Sequence, residues 1–195
     1  MDARKLRRKL EKLGWKYSKG AFIGDRSFTK VIDDGKVVQL APRSEKWYQG
    51  GVKFTFDPAL STVEFIQISN AVLNEDVNYI PLIARFGWCA PPIEKGVPEK
   101  IFPELTEEIV DELLAEALDW ASYQDIDKAI DYYAGLPTNC KGALPGDHLA
   151  TLVIRNNKEK LLYYQKCFAE GNRLGFAPYI TDEVINRAVE LVMKR

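Results

Sequence analysis

The sequence predicts an α+β fold: an N-terminal helix, a mainly antiparallel sheet of four to five strands, and a C-terminal group of four to five helices. Three observations lead there. Strand-like runs follow one another between turn signals from Ser27 to Ile68, and Val52–Asp57 alternates apolar and polar residues strictly, as a strand with one buried face requires. Beyond residue 105 the apolar spacing lengthens to that of a helix. The 195 residues, 46% hydrophobic and 28% charged, suit a chain with a substantial core and lie far from the composition of disorder. The expected organisation is a sheet region over 1–90, a proline-rich connector over 91–104 and a helical region over 105–195, all packed as one unit.

Taken in order, Asp2 suits the cap of a first helix whose Leu6, Leu10 and Leu13 recur at helical spacing, with Gly14 placed to end it. Trp15, Tyr17, Phe22 and Ile23 suggest an opening strand or two short ones. Phe28–Ile32 and Val37–Leu40 read as two strands, and Asp34-Gly35 between them suits a hairpin turn needing positive φ. Residues 41–51 read as a loop carrying Trp47 and Tyr48, bounded by Pro42 and the Gly50-Gly51 pair. Val52, Phe54 and Phe56 should face the core. The run Val63–Ile68 changes its apolar phase midway, which fits a bulged strand or one covered on both faces.

Residues 71–88 are mixed, with Tyr79, Ile80, Leu82, Ile83 and Phe86 compatible with a strand or a short helix. Pro91, Pro92, Pro98 and Pro103 deny the next stretch the donors and torsions of a regular element, which marks a boundary. Helices follow. Thr106 is placed to cap one with Ile109, Leu113 and Ala117 as its inner stripe; a second spans Asp125–Tyr133 and stops at Gly135. Leu144–Ile154 and Lys158–Ala169 flank Asn156-Asn157, and Thr181 introduces a last helix through Val184, Ile185, Ala188 and Val192.

The net charge of −1 conceals a partition along the chain. Residues 1–60 hold 14 Lys/Arg against 7 Asp/Glu, residues 61–135 hold 4 against 15, and residues 136–195 hold 9 against 6. Such asymmetry means either partner surfaces of opposite sign or faces that neutralise one another inside one body. No stretch is long and apolar enough to span a bilayer, and the basic N-terminus has no apolar run behind it, so neither a membrane partner nor a secretory signal is expected. Three widely spaced cysteines, Cys89, Cys140 and Cys167, argue for a reducing compartment and a cytoplasmic location.

Chemistry is sparse. The one histidine, His148, follows Asp147 and lies eight residues after Cys140. A Cys140/His148 nucleophile pair is the one catalytic arrangement to consider, against Asp147 as a helix cap and His148 as a first-turn residue. Cysteine spacing offers no half-cage for zinc, the glycines match no phosphate-binding loop, and the carboxylates from Glu99 to Asp131 have the spacing of a solvated helix face. No catalytic residue, metal or cofactor is therefore expected.

Two surfaces remain. An acidic face around Glu107, Glu108, Asp111 and Glu112, with Trp47 and Tyr48 as aromatic anchors, suits a protein partner, above all a basic one. The basic first helix, with Arg4, Arg7 and Arg8, keeps nucleic acid among the candidate partners. The order of the opening helix, Leu13-Gly14-Trp15-Lys16-Tyr17, Phe28 and the strands Val37–Leu40 and Val52–Phe56 resembles small bacterial α+β families of unknown function, some of them of the polymorphic-toxin immunity type. The resemblance covers about the first 70 residues. It implies a non-enzymatic cytoplasmic protein that binds and occludes a partner, and it assigns no functional residue.

Overall fold

The computed structural model describes residues 1–19, 26–32, 35–85 and 100–195. They form an α+β structure in the order α1 (Ala3–Lys12), β1 (Lys16–Lys19), β2 (Arg26–Val31), β3 (Lys36–Lys46), β4 (Val52–Thr62), α2 (Val63–Leu73), β5 (Ile83–Ala84), β6 (Lys100–Phe102), α3 (Glu107–Ser122), α4 (Ile126–Ala134), α5 (Leu144–Ile154), α6 (Lys158–Ala169) and α7 (Asp182–Met193). They divide into two compact units: 1–61 with 81–124, and 62–80 with 125–195. The C-terminal helices thus fall in both, α3 with the sheet and α4–α7 with α2.

The first unit holds α1, α3 and the sheet, in the order β1-β2-β3-β4-β5 with β6 also on β4. The Asp2 carboxylate caps α1 by accepting from the Arg4 and Lys5 amides at 2.9 Å. Leu6 and Leu10 are buried beneath the helix, but Leu13, at its C-cap, is exposed and leaves the expected stripe one residue short. Lys16 pairs with Thr29 and Lys19 with Arg26 across an antiparallel β1–β2 ladder, and Val31 with Val37 across β2–β3. Phe22, Ile23 and Asp34 lie outside the described residues. Gly35, next to Asp34, has the positive φ of 73° that the hairpin reading required.

Strand β3 runs well past its expected end at Leu40, so most of the anticipated loop is strand. Its pairing with β2 stops at the Phe28–Leu40 position, and Pro42, beyond it, gives up no ladder bond on that edge. Only residues 47–51 make the connection to β4. The Gly50 amide donates to Trp47 O and the Trp47 amide to Gly51 O, both at 3.1 Å. In β4, Phe54 and Phe56 are buried and in edge-to-face contact at 5.2 Å, while Val52 is half-buried.

Val63–Ile68 is not a strand. The Thr62 hydroxyl accepts from the Phe65 amide at 3.0 Å and caps α2, whose buried Phe65, Ser69 and Val72 recur at i, i+4 and i+7. The change of apolar phase was the onset of helical period, and Asn74 at φ 57° closes the helix. The stripe of α3 holds at Leu113 and Ala117, which are buried as expected, but Ile109 is only half-buried and Val110 and Leu114 join the inner face. Thr106 caps it, accepting from the Ile109 amide at 3.3 Å.

The second unit packs α2 with α4–α7 around Leu149, Leu152, Leu161, Phe168, Ile180 and Ile185. A side chain of this size contributes about 1.5–3 kcal/mol when fully buried. Helix α5 is covered almost all round: every residue from Pro145 to Val153 is buried. Gly146 permits the closest approach, since a Cβ there would sit 3.0 Å from Leu73 Cδ1. Pro91, Pro92 and Pro98, with Cys89 and Phe86, lie outside the described residues; of the expected irregular stretch, Lys100–Phe102 is a strand paired antiparallel with Val52–Phe54.

That pairing places the Phe102 carbonyl against Gly51, whose φ is 104° and whose added Cβ would lie 2.5 Å from the Phe102 oxygen. Gly51→Ala should therefore destabilise the protein by about 2 kcal/mol or more. Urea unfolding followed by tryptophan fluorescence checks this, with Gly50→Ala, which meets nothing within 4 Å, as the matched control for positive φ alone.

Candidate functional site

The sheet unit carries all the surface residues singled out from sequence. Trp47 and Tyr48 occupy the tip of the β3–β4 hairpin, their rings 4.6 Å apart, and the Lys53 ammonium lies 4.4 Å from the Trp47 ring centroid. Trp47 is half-buried there and Tyr48 is 79% exposed. Trp47 thus backs Tyr48, and of the two aromatics Tyr48 is the one that reaches solvent.

The acidic and basic helices meet. Lys9 Nζ of α1 lies 2.8 Å from Asp111 and 3.7 Å from Glu107 of α3, and these carboxylates hold the Lys9 ammonium above the usual lysine range. The two charge excesses are in this part internal structure, a contact of small energetic value because it is solvated. Glu116 is likewise shared by Lys100, at 2.5 Å, and Arg85, at 3.7 Å. Glu108 and Glu112 have no ion-pair partner among the described residues; Glu108, at the first turn of α3, is held below the usual carboxylate range by its backbone amide and the Thr106 hydroxyl. The acidic surface left for a partner is therefore smaller than the sequence implied.

Of the basic trio, Arg8 is exposed on α1, Arg7 pairs with Glu11 at 2.8 Å, and Arg4 has no acidic partner among the described residues. Arg4 and Arg7 also line a cavity of 720 Å³ that sequence reading missed. Arg26 of β2 and Arg43 of β3 complete its cationic rim. Its floor is apolar, with Leu6, Phe28 and Phe54 all buried, and Tyr17 stands half-buried at its side. Arg7 lies over the Tyr17 ring at 4.1 Å, and Tyr17 packs on Phe28 at 5.4 Å. Five elements, α1 and β1–β4, supply these residues, and the one sign of the cavity in the sequence is the basic excess of residues 1–60.

In the second unit, the Cys140/His148 arrangement is replaced by a structural network. His148 is fully buried; its Nδ1–H donates to Tyr133 O at 2.8 Å, and the Tyr164 hydroxyl donates to Nε2 at 3.1 Å. A carbonyl can only accept, which fixes the neutral tautomer with the proton on Nδ1. Burial lowers the ring to about 4, so it is a poor base at neutral pH. Asp147 is not the cap of α5. It lies in the first turns of a helix that begins at Leu144, is itself buried, and is raised to about 7 by that burial. Cys140 is half-buried with its thiol pushed up, again by burial first, which is opposite to the activation a nucleophile needs. Among the described residues no group of three or more His, Cys, Asp or Glu side chains is placed to hold a metal ion, and no helix is long and apolar enough to cross a membrane.

Asp147 and His148 oppose each other in pH. The buried imidazole gives stability that is full above 6.5 and lost as pH falls toward about 4; the buried carboxyl gives stability that is full below 3.8 and lost as pH rises toward about 7. In the native chain the two trends offset each other between these limits. Asp147→Asn should remove one of them, so that the variant loses on the order of 2 kcal/mol between pH 6.5 and pH 4.5 while the parent changes little. Chemical denaturation across that range checks it.

The chain matches no curated protein and no solved structure. Its residues 2–193, which include both units, the arginine-lined cavity and the buried histidine network, match a family model, and the protein is a member of DUF6990, a family of unknown function.

Proposed function

We propose that the chain is a non-enzymatic cytoplasmic binding protein that engages a basic partner protein through its sheet unit, in the manner of an immunity-type inhibitor that occludes its target. The observation that supports this reading most is the state of α3. After Lys9 has taken Glu107 and Asp111, the carboxylates of Glu108 and Glu112 still face solvent without a counter-ion among the described residues. Unneutralised carboxylates on a rigid helix steer a cationic partner and raise its association rate. Tyr48, large, exposed and backed by Trp47, is the type of side chain that anchors an interface once encounter has occurred. Two free cysteines, Cys140 and Cys167, are in keeping with a reducing cytoplasm.

An enzyme centred on Cys140 and His148 gains no support from geometry, since both imidazole nitrogens are already engaged and the thiol is not activated. Binding of nucleic acid by α1 is favoured by one specific observation, the cavity in which Arg4 and Arg7 are joined by two further arginines.

Lysate capture at low and high salt, with the bound proteins identified, is the test of the leading reading. Glu108→Lys/Glu112→Lys should slow association with the captured partner about tenfold at low salt, with dissociation little changed. Tyr48→Ala should instead speed dissociation, at a cost on the order of 2 kcal/mol. An association rate that ignores both salt and the two reversals would overturn the steering role.

A further inference from the structure

The arginine-lined cavity asks for a ligand that neither the acidic helix nor the hairpin tip explains. Its 720 Å³ falls inside the range of about 300–1,000 Å³ typical of small-molecule sites. Arg7 and Arg43 are each tied to one carboxylate, Glu11 and Asp57. Arg4 and Arg26 have none among the described residues. The one acidic side chain on the wall, Asp2, is spent on the Arg4 and Lys5 amides and held below the usual carboxylate range by them. With Arg7 and Arg43 neutralised by Glu11 and Asp57, Arg4 and Arg26 leave the wall cationic, which disfavours metal ions and basic ligands. Guanidinium forks match phosphate oxygens in geometry and charge.

The floor adds a second requirement. An inorganic anion would satisfy the rim and leave the half-exposed Tyr17 ring wet, whereas an apolar ligand would strip water from Arg4 and Arg26 without replacing it. A ligand that satisfies both has a planar apolar body and at least two negative charges at one end.

We propose that this cavity binds a phosphorylated nucleoside, with its phosphates on Arg4 and Arg26 and its base against Tyr17, which is backed by the buried Phe28. A free nucleotide and a nucleotide unit of a single strand present the same chemistry to it. The site is separate from the proposed partner surface: none of its residues lies on the acidic face of α3 or at the hairpin tip.

The test is titration calorimetry of the full chain at low salt with three probes: ADP, a short single-stranded oligonucleotide, and inorganic tripolyphosphate. ADP or the oligonucleotide should saturate one site per chain. Arg4→Gln/Arg26→Gln should weaken that binding at least tenfold with the thermal midpoint unchanged, and Tyr17→Ala should weaken ADP more than tripolyphosphate. Binding of the oligonucleotide no tighter than ADP identifies the free nucleotide as the source; much tighter binding, lost in the same double variant, identifies a strand. Tripolyphosphate bound as tightly as ADP, full binding by the double variant, or no saturable binding of any probe overturns the proposal. Protein capture by the same variants separates this outcome from the partner reading, because Glu108 and Glu112 are intact in them.

Discussion

Strand β4 has hydrogen-bonded neighbours along both of its edges, and the sheet unit depends on that. One edge belongs to β3; the other is shared end to end by β6 at Val52–Phe54 and β5 at Ala59–Leu60. A strand used this way has no freedom of register, because a slip by one residue would turn Phe54, Phe56 and Leu60 out of the core together and break three ladders at once. The same constraint holds the β3–β4 hairpin, whose tip carries Trp47 and Tyr48 and whose Gly51 lies under the Phe102 carbonyl. It also fixes Phe54 in the floor of the arginine-lined cavity.

Where a segment's own pattern decides its structure, the sequence was readable. Asp2, Thr106 and Asp125 cap the helices they were expected to introduce, and strict alternation located β4. Reading failed where local preference and tertiary setting diverge. Val63–Ile68 is rich in β-branched and apolar residues, yet the Thr62 cap and burial at Phe65, Ser69 and Val72 make it a helix that starts without any linker after β4. Asp147 looked like a cap because its carboxylate precedes an apolar run. The helix begins at Leu144, in agreement with its expected span Leu144–Ile154, and so carries Asp147 inside.

Charge followed a similar course. The basic and acidic segments were visible from composition alone, but their worth depends on who stands opposite whom. Lys9 reaches a helix about one hundred residues away in the chain and cancels part of both excesses. What survives includes Glu108 and Glu112 on one surface and Arg4 and Arg26 on another. No spacing rule joins Arg4, Arg7, Arg26 and Arg43, since a helix and two strands bring them together, and their convergence is a property of the fold alone.

The interleaving of the two units along the chain bears on how the protein is made. Residues 1–61 and 81–124 are all that the sheet unit contains, so it has its full complement when synthesis has passed residue 124. Helix α2 has by then been waiting since residue 73, while the α5 residue that closes on it, Gly146 against Leu73, and the core around Leu149 and Ile185 have yet to be translated. During that interval Phe65 and Val72 have no native cover from α4–α7. The nascent chain therefore passes through a stage with one unit complete and an apolar helix bare, the stage at which chaperone engagement or aggregation would be decided.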